Sequence, residues 1–121
     1  MTTLNPDGSP QMSVVWAGLD GDRIITGHFG RYRKITNLLR DPRIALSFAG
    51  PTPLPNGMHP NLVVYGDAEI SDGGAAELVG RLAKVYIAPD FDYSMPPGPP
   101  PGYVITTTVR RIAGVGPWMD A

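Results

Sequence analysis

The chain is 121 residues long, with 42% hydrophobic and 17% charged residues and a formal net charge of -1. That length fits one domain spanning residues 1–121, able to bury about two-thirds of its unfolded surface, and the composition excludes wholesale disorder and a broad surface for nucleic acid. The absence of cysteine removes disulfides, thiolate nucleophiles and zinc–thiolate sites at once.

The opening Met1-Thr2-Thr3-Leu4-Asn5-Pro6 has neither the charged region nor the apolar core of a signal peptide, and no apolar run reaches membrane-spanning length. The expectation is a soluble, cytoplasmic protein that uses neither membrane nor nucleic acid. Asn5-Pro6-Asp7-Gly8 and Asp20-Gly21-Asp22 read as tight turns. Between them Gln11 to Leu19 is rich in strand formers, including Val14, Val15 and Trp16. Arg23 to Gly27 continues the sheet after the Asp-Gly hairpin signal, and Gly27 and Gly30 bracket a loop that leads into a helix.

That helix opens on Gly30-Arg31-Tyr32-Arg33-Lys34-Ile35-Thr36-Asn37. Three cations crowd a helix start, where unpaired N–H groups already give the backbone positive character and where cations are unfavourable. An anion resolves the conflict, because free N–H groups with Arg and Lys side chains form a phosphate site. The alternative is a plain solvated cationic face. The helix should stop near Arg40, since Asp41-Pro42 cannot continue it.

Ile44 to Phe48 has the composition of a buried strand, Gly50 to Gly57 is a connecting loop, and Asn61 to Ile70 is another strand. After Ser71-Asp72-Gly73-Gly74, a second helix carries Leu78, Val79, Leu82, Val85 and Tyr86 at helical spacing, the mark of a core-facing stripe. Ala88 to Gly102, a proline-rich loop centred on 89–102, contains Pro96-Pro97-Gly98-Pro99-Pro100-Pro101 and reads as a stiff connector or rim loop, with a Pro-x-x-Pro partner ligand as the other reading. Tyr103 to Ile112 alternates as a strand, and Gly114 to Trp118 ends the chain's regular part. Five or six antiparallel strands with two short helices predict a mainly β fold, a small barrel of Greek-key character.

Histidines 28 and 59 lie far apart without metal-ligand spacing, and no Ser-His-Asp pattern is present, so no metal and no catalytic acid, base or nucleophile is assigned. His28 can hydrogen-bond a ligand or serve the loop; His59 can reach a subunit boundary or lie on the surface. Tyr86, Tyr93 and Trp118 can wall a substrate or be ordinary core or interface aromatics. Asp67, Glu69 and Asp72 follow strand alternation and do not converge as an acid–base pair.

The ordered set TLNPDGSPQMSVVW, LDGDRIITG, GRYRKITNLLRDPRIALSF and VYGDAEIS, closed by GVGPW, resembles the pyridoxamine-phosphate-oxidase-like split-barrel superfamily from Thr3 to Trp118. More narrowly, LNPDGSPQ with NLLRDPR is similar to its actinobacterial branch of F420-dependent flavin and deazaflavin oxidoreductases. The resemblance implies an FMN-binding split-barrel fold, a homodimer with two clefts, and hydride transfer between a reduced deazaflavin and a conjugated enone, quinone or bilin. The cofactor it implies is coenzyme F420, whose anionic tail suits three clustered cations, with FMN as the alternative; a carrier of flavin, deazaflavin or haem without turnover is the non-enzymatic competitor. By the same resemblance Lys34 inherits the phosphate, helped by Arg33, Arg31 and Asn37. Thr26, Gly27 and His28 fall at the strand end that touches the cofactor, and the strand containing Gln11, Ser13, Val15 and Trp16 runs along its ring. Two departures stand out: only Met1 to Leu4 precede the first turn, where relatives carry a helix and a fuller strand, and the proline loop from Pro89 to Pro101 is more elaborate than expected.

Overall fold

The computed structural model describes residues 1–93 and 100–120. Seven strands form one sheet: β1 (Thr2–Leu4), β2 (Pro10–Met12), β3 (Gly18–Asp20), β4 (Arg23–His28), β5 (Arg43–Ala49), β6 (Asn61–Asp72) and β7 (Tyr103–Val115). All pairings are antiparallel, in the spatial order β2-β1-β5-β6-β7-β4-β3. Two helices complete the fold, α1 (Arg33–Arg40) and α2 (Ala75–Tyr86), with a single 3-10 turn at Pro117–Asp120. A mainly β, antiparallel fold with two short helices is what the sequence pattern predicts, and it is consistent with the split barrel that the resemblance implies.

Three boundaries differ from the sequence reading, each for a physical reason. The four residues before the first turn suffice for β1, because Asn5 to Ser9 closes a hairpin that sets Thr3 opposite Gln11, and Thr2 then pairs with Ala45 of β5. The expected single strand from Gln11 to Leu19 is two strands. β2 pairs at one edge of the sheet and β3 at the other; Ser13 still exchanges two backbone hydrogen bonds with Met1, and Val14 to Ala17 then cross between the two edges. Finally, β6 and β7 run longer than expected, 12 and 13 residues, bent by a bulge at Tyr65/Gly66. The additional strand β1 brings the count to seven.

β4 has the burial pattern of a strand covered on both sides. Ile24, Thr26 and His28 share one face by alternation, while Ile25 and Gly27 face α2. The helix approaches closely there: a Cβ on Gly27 would stand 3.1 Å from Val79 Cγ2 and 3.4 Å from the Ala75 carbonyl. Leu78 and Leu82 pack on Ile25 with Trp16 and Val104 beside them. On the barrel's other side α1 buries Ile35 and Leu38 against Ile44, Ala68 and Ile105. The helix stripe 78, 79, 82 is therefore core, as its spacing predicts, although Val85 and Tyr86 at its end are exposed.

The proline loop is anchored at both described ends. Lys84 Nζ donates to the Phe91 carbonyl at 3.0 Å, and the Gly102 and Pro101 carbonyls accept from Gly73 and Ala75 N–H at 2.7 and 3.2 Å. Gly102 adopts φ +64°, and a Cβ there would fall 2.3 Å from the His28 carbonyl oxygen, so only glycine lets the loop return this close to β4. The Pro96 to Pro99 part of the Pro-x-x-Pro reading lies outside the described residues. Among the described residues no helix is long and apolar enough to cross a membrane.

Candidate functional site

A cleft of about 300 Å³ opens between four elements: the crossing segment (Val14, Val15, Trp16), the end of β4 and its loop (Gly27, His28, Phe29), the start of α1 (Tyr32, Lys34) and one flank of α2 (Val79, Leu82), with Tyr93 also lining it. Within the crossing segment Ser13 is tied to Met1 by two backbone hydrogen bonds and Ala17 to the Tyr86 hydroxyl, and Val14, Val15 and Trp16 between these ties line the cleft.

Among the described residues Lys34 is the one cationic side chain lining the cleft. Its Nζ donates to Ser13 Oγ at 3.0 Å and stands 5.6 Å from the centre of the Tyr32 ring. Among the described residues no carboxylate lies within ion-pair distance of it. Burial holds its pKa below the usual lysine value. A half-buried ammonium whose partners are a hydroxyl and a ring face is incompletely compensated. The helix start adds to this: α1 begins after Tyr32 with no side-chain cap and no acidic residue in its first turn. Backbone N–H groups and the positive helix end thus lie in the same turn as the amine, and an anion would satisfy both.

His28 is neutral at pH 7. It is 4% exposed, shares a 2.8 Å hydrogen bond through Nε2 with Thr26 Oγ1, and has its pKa pushed down to about 4, first by burial and second by the Lys34 charge. Between pH 6.5 and about 4 the unfolded chain therefore binds a proton at this residue that the native chain refuses, so stability falls as pH is lowered through that window and the effect levels off below it. Asp7 and Asp41, whose pKa values are also lowered, act only below the ordinary carboxylate pKa of 3.8. Urea unfolding at pH 7.0 and 4.5 checks this: the midpoint should drop at the lower pH, and His28→Asn should flatten that drop.

Two aromatic pairs stiffen the surroundings. Trp16 stacks on Tyr86 at 5.4 Å between centroids, and the Tyr86 hydroxyl both donates to the Ala17 carbonyl at 3.1 Å and accepts from its N–H at 3.0 Å. Tyr86 thus buttresses the crossing segment from behind and does not line the cleft. Phe29 and Tyr93 are parallel within 5°, with centroids 6.4 Å apart. Trp118 lies against Gly116 in the 3-10 turn, away from the cleft.

The sequence-predicted residues fall into three places. Val15, Trp16, Gly27, His28 and Lys34 line the cleft, with Ser13 and Thr26 directly behind Lys34 and His28. Arg31, Arg33 and Asn37 line a separate groove of about 550 Å³ together with Pro6, Thr36 and Arg40. Gln11 sits on β2, its Oε1 accepting from Thr3 Oγ1 at 2.9 Å and its Nε2 donating to the Met12 carbonyl at 3.3 Å. Asn37 is 1% exposed, and both hydrogens of its amide are used inside the protein, on Thr3 Oγ1 and Asn5 Oδ1 at 3.1 Å each, while Oδ1 accepts from Arg40 at 3.4 Å. Arg31 precedes α1 and does not open it.

Phe29, Tyr32, Val79 and Leu82 were not singled out as site residues. Val79 and Leu82 look like core by their spacing and are core, yet their outer edge reaches the cleft; Phe29 and Tyr32 flank the Gly-Arg-Tyr loop, whose aromatic pair was the available signal. His59 is exposed, its Nδ1 3.0 Å from the Gly50 carbonyl. Among the described residues no cluster of three metal-ligating side chains exists.

Comparison with known proteins places this geometry in context. Residues 1–116 match the family described as pyridoxamine 5'-phosphate oxidase. Among solved structures, the chain is similar to an F420 reductase (24% identity, TM-score 0.72, covering 93% of this chain and 85% of that one). It is also similar to HupZ of Group A Streptococcus (20%, 0.64, 94% and 81%) and to an FMN-binding protein of Syntrophomonas wolfei (15%, 0.60, 95% and 74%). At these identities the structural likenesses speak to the fold. No curated protein gives a significant match.

Proposed function

The chain belongs to the pyridoxamine 5'-phosphate oxidase family, and from that premise we propose that it is an oxidoreductase whose cleft binds coenzyme F420 and transfers a hydride between the reduced deazaflavin and a conjugated small molecule. The observation that carries the reading is Lys34, an amine without a carboxylate partner among the described residues, placed at a helix start without a side-chain cap and lining a cleft with aromatic and aliphatic walls.

The residues present fit such a group. Lys34 and Ser13 would hold the phosphate, with the first N–H groups of α1 beside them. Val15 and Trp16 would lie along the ring, and Tyr86 keeps Trp16 from yielding. His28, neutral and fixed by Thr26, offers a hydrogen-bonding edge without placing a second charge near the ring. When bound, the reduced deazaflavin supplies the hydride; the protein supplies alignment and an apolar surface. Val15, Trp16, Val79 and Leu82 would cover part of a seated ring, the proton that completes reduction would come from solvent at the open side of the cleft, and no nucleophile is required of the chain.

The arginine groove supports F420 over FMN. Arg31, Arg33 and Arg40 make no ion pair among the described residues and lie on α1 or just before it, where an anionic tail leaving Lys34 would run. FMN remains the second reading because the cleft lined by Lys34 is sufficient for a single phosphate. A homodimer is part of the proposal: Val14 lines the cleft yet is 99% exposed, and Met12, Ile112 and Val115 are exposed apolar side chains that a second copy would cover.

Turnover separates the readings. Reduced F420 should lose its electrons to an enone or quinone in the presence of the purified protein, whose sedimentation should give twice the chain mass. Oxidation seen only with reduced FMN would select the second reading, and binding of either coenzyme without acceptor-dependent turnover would leave a carrier.

A further inference from the structure

Within the reading of the cleft just given, we infer that Tyr86 is a positioning residue: its hydroxyl fixes the Ala17 end of the crossing segment and through that tie sets the Trp16 wall on which the coenzyme ring is held. The span concerned is short and weakly held. Among the described residues Val14, Val15 and Trp16 make no hydrogen bond, and the ties lie on either side of them, at Ser13 and at Ala17. Ser13 is held by Met1 and Lys34. Ala17 is held by Tyr86, 69 residues away, whose single hydroxyl donates to its carbonyl at 3.1 Å and accepts from its N–H at 3.0 Å. Both backbone groups of Ala17 are thus satisfied as a neighbouring strand would satisfy them, just before the pairing of β3 begins at Gly18.

Ring and helix add to the tie. Trp16 lies on the Tyr86 ring with 9° between the planes and also packs on the cluster of Ile25, Leu78 and Leu82. Tyr86 is the last residue of α2 and continues the helix face that supplies Val79 and Leu82 to the cleft. The helix therefore gives the cleft one wall directly and, a turn later, the support of another. Tyr86 itself does not line the cleft, so its effect on a ligand runs through Ala17 and Trp16. When one tie of such a span is released, its side chains gain conformations that a ligand must then freeze out, and affinity falls.

Tyr86→Phe keeps the ring stack and removes both hydrogen bonds, and Trp118→Phe in the background leaves Trp16 as the sole tryptophan. In the ligand-free protein Tyr86→Phe should raise acrylamide quenching of Trp16 at least twofold, with the far-ultraviolet circular dichroism of a folded chain retained. Titrated with F420 and with FMN, the same variant should bind whichever coenzyme the unaltered protein binds at least fivefold more weakly. The salt dependence of that binding should stay as in the unaltered protein, because Lys34 and Ser13 form the other tie. Unchanged quenching, or unchanged affinity whatever the quenching, overturns the inference; a merely structural tyrosine would give both, with only a lower urea midpoint. Failure of the parent reading looks different: neither coenzyme binds the unaltered protein, yet Tyr86→Phe still loosens Trp16, which upholds the tie and removes the coenzyme from it.

Discussion

Lys34→Ala should weaken coenzyme binding by about 1.5–3 kcal/mol, a rise in Kd of about ten- to 150-fold, the loss expected for a charge-assisted hydrogen bond. The same substitution should leave the stability of the ligand-free protein unchanged or slightly raised. The ammonium is half-buried, its pKa is lowered by burial, and it is held only by Ser13 Oγ and the Tyr32 ring. Removing it relieves a desolvated charge and costs one hydroxyl contact. A purely structural lysine would give the reverse pattern. Fluorescence titration at low and moderate salt, with thermal melts of the free proteins, measures both; the affinity difference should narrow as salt rises, since part of the attraction is screened.

Asn37→Ala should destabilise the ligand-free protein by about 2–3 kcal/mol, because it deletes several hydrogen bonds worth about 0.5–1.5 kcal/mol each from a buried position. The amide ties α1 to the first hairpin through Thr3 and Asn5 and orders Arg40, so the loss should loosen β1 at the sheet edge. Urea unfolding without ligand checks it. Unchanged stability together with weakened coenzyme binding would instead make Asn37 a ligand contact, as the family resemblance alone implies.

Asn37 also shows where the sequence stops being legible. Its place in a cationic helix start is visible in the chain, but the groups that take its hydrogens, Thr3 and Asn5, are more than 30 residues away, and only the β1 hairpin brings them under the helix. The same holds for Gln11, whose strand the family resemblance sets along the cofactor ring and whose side chain the structure sets against Thr3. Local signals fared better. The Asp-Gly hairpin, the Asp41-Pro42 stop, the helical stripe of α2 and the cation cluster are all short-range features, and each places its element correctly within a few residues.

The split of Gln11–Leu19 into two strands was not readable. Val14, Val15 and Trp16 have strand propensity wherever they stand, and whether they pair depends on how far apart the two sheet edges lie. That distance is a property of the whole barrel. The cleft's aromatic lining was half legible for a related reason: residues in one run, such as Val15 and Trp16, could be grouped, while Phe29 and Tyr93 are far apart in the chain and meet only in the fold.

The most direct test is a crystal structure of the protein with F420 or FMN bound. The account predicts the phosphate within hydrogen-bonding distance of Lys34 Nζ and Ser13 Oγ, at the first turn of α1, with the ring along Val15 and Trp16. A ring seated elsewhere, or a phosphate remote from Lys34 with that side chain still on Ser13 and Tyr32, would contradict it.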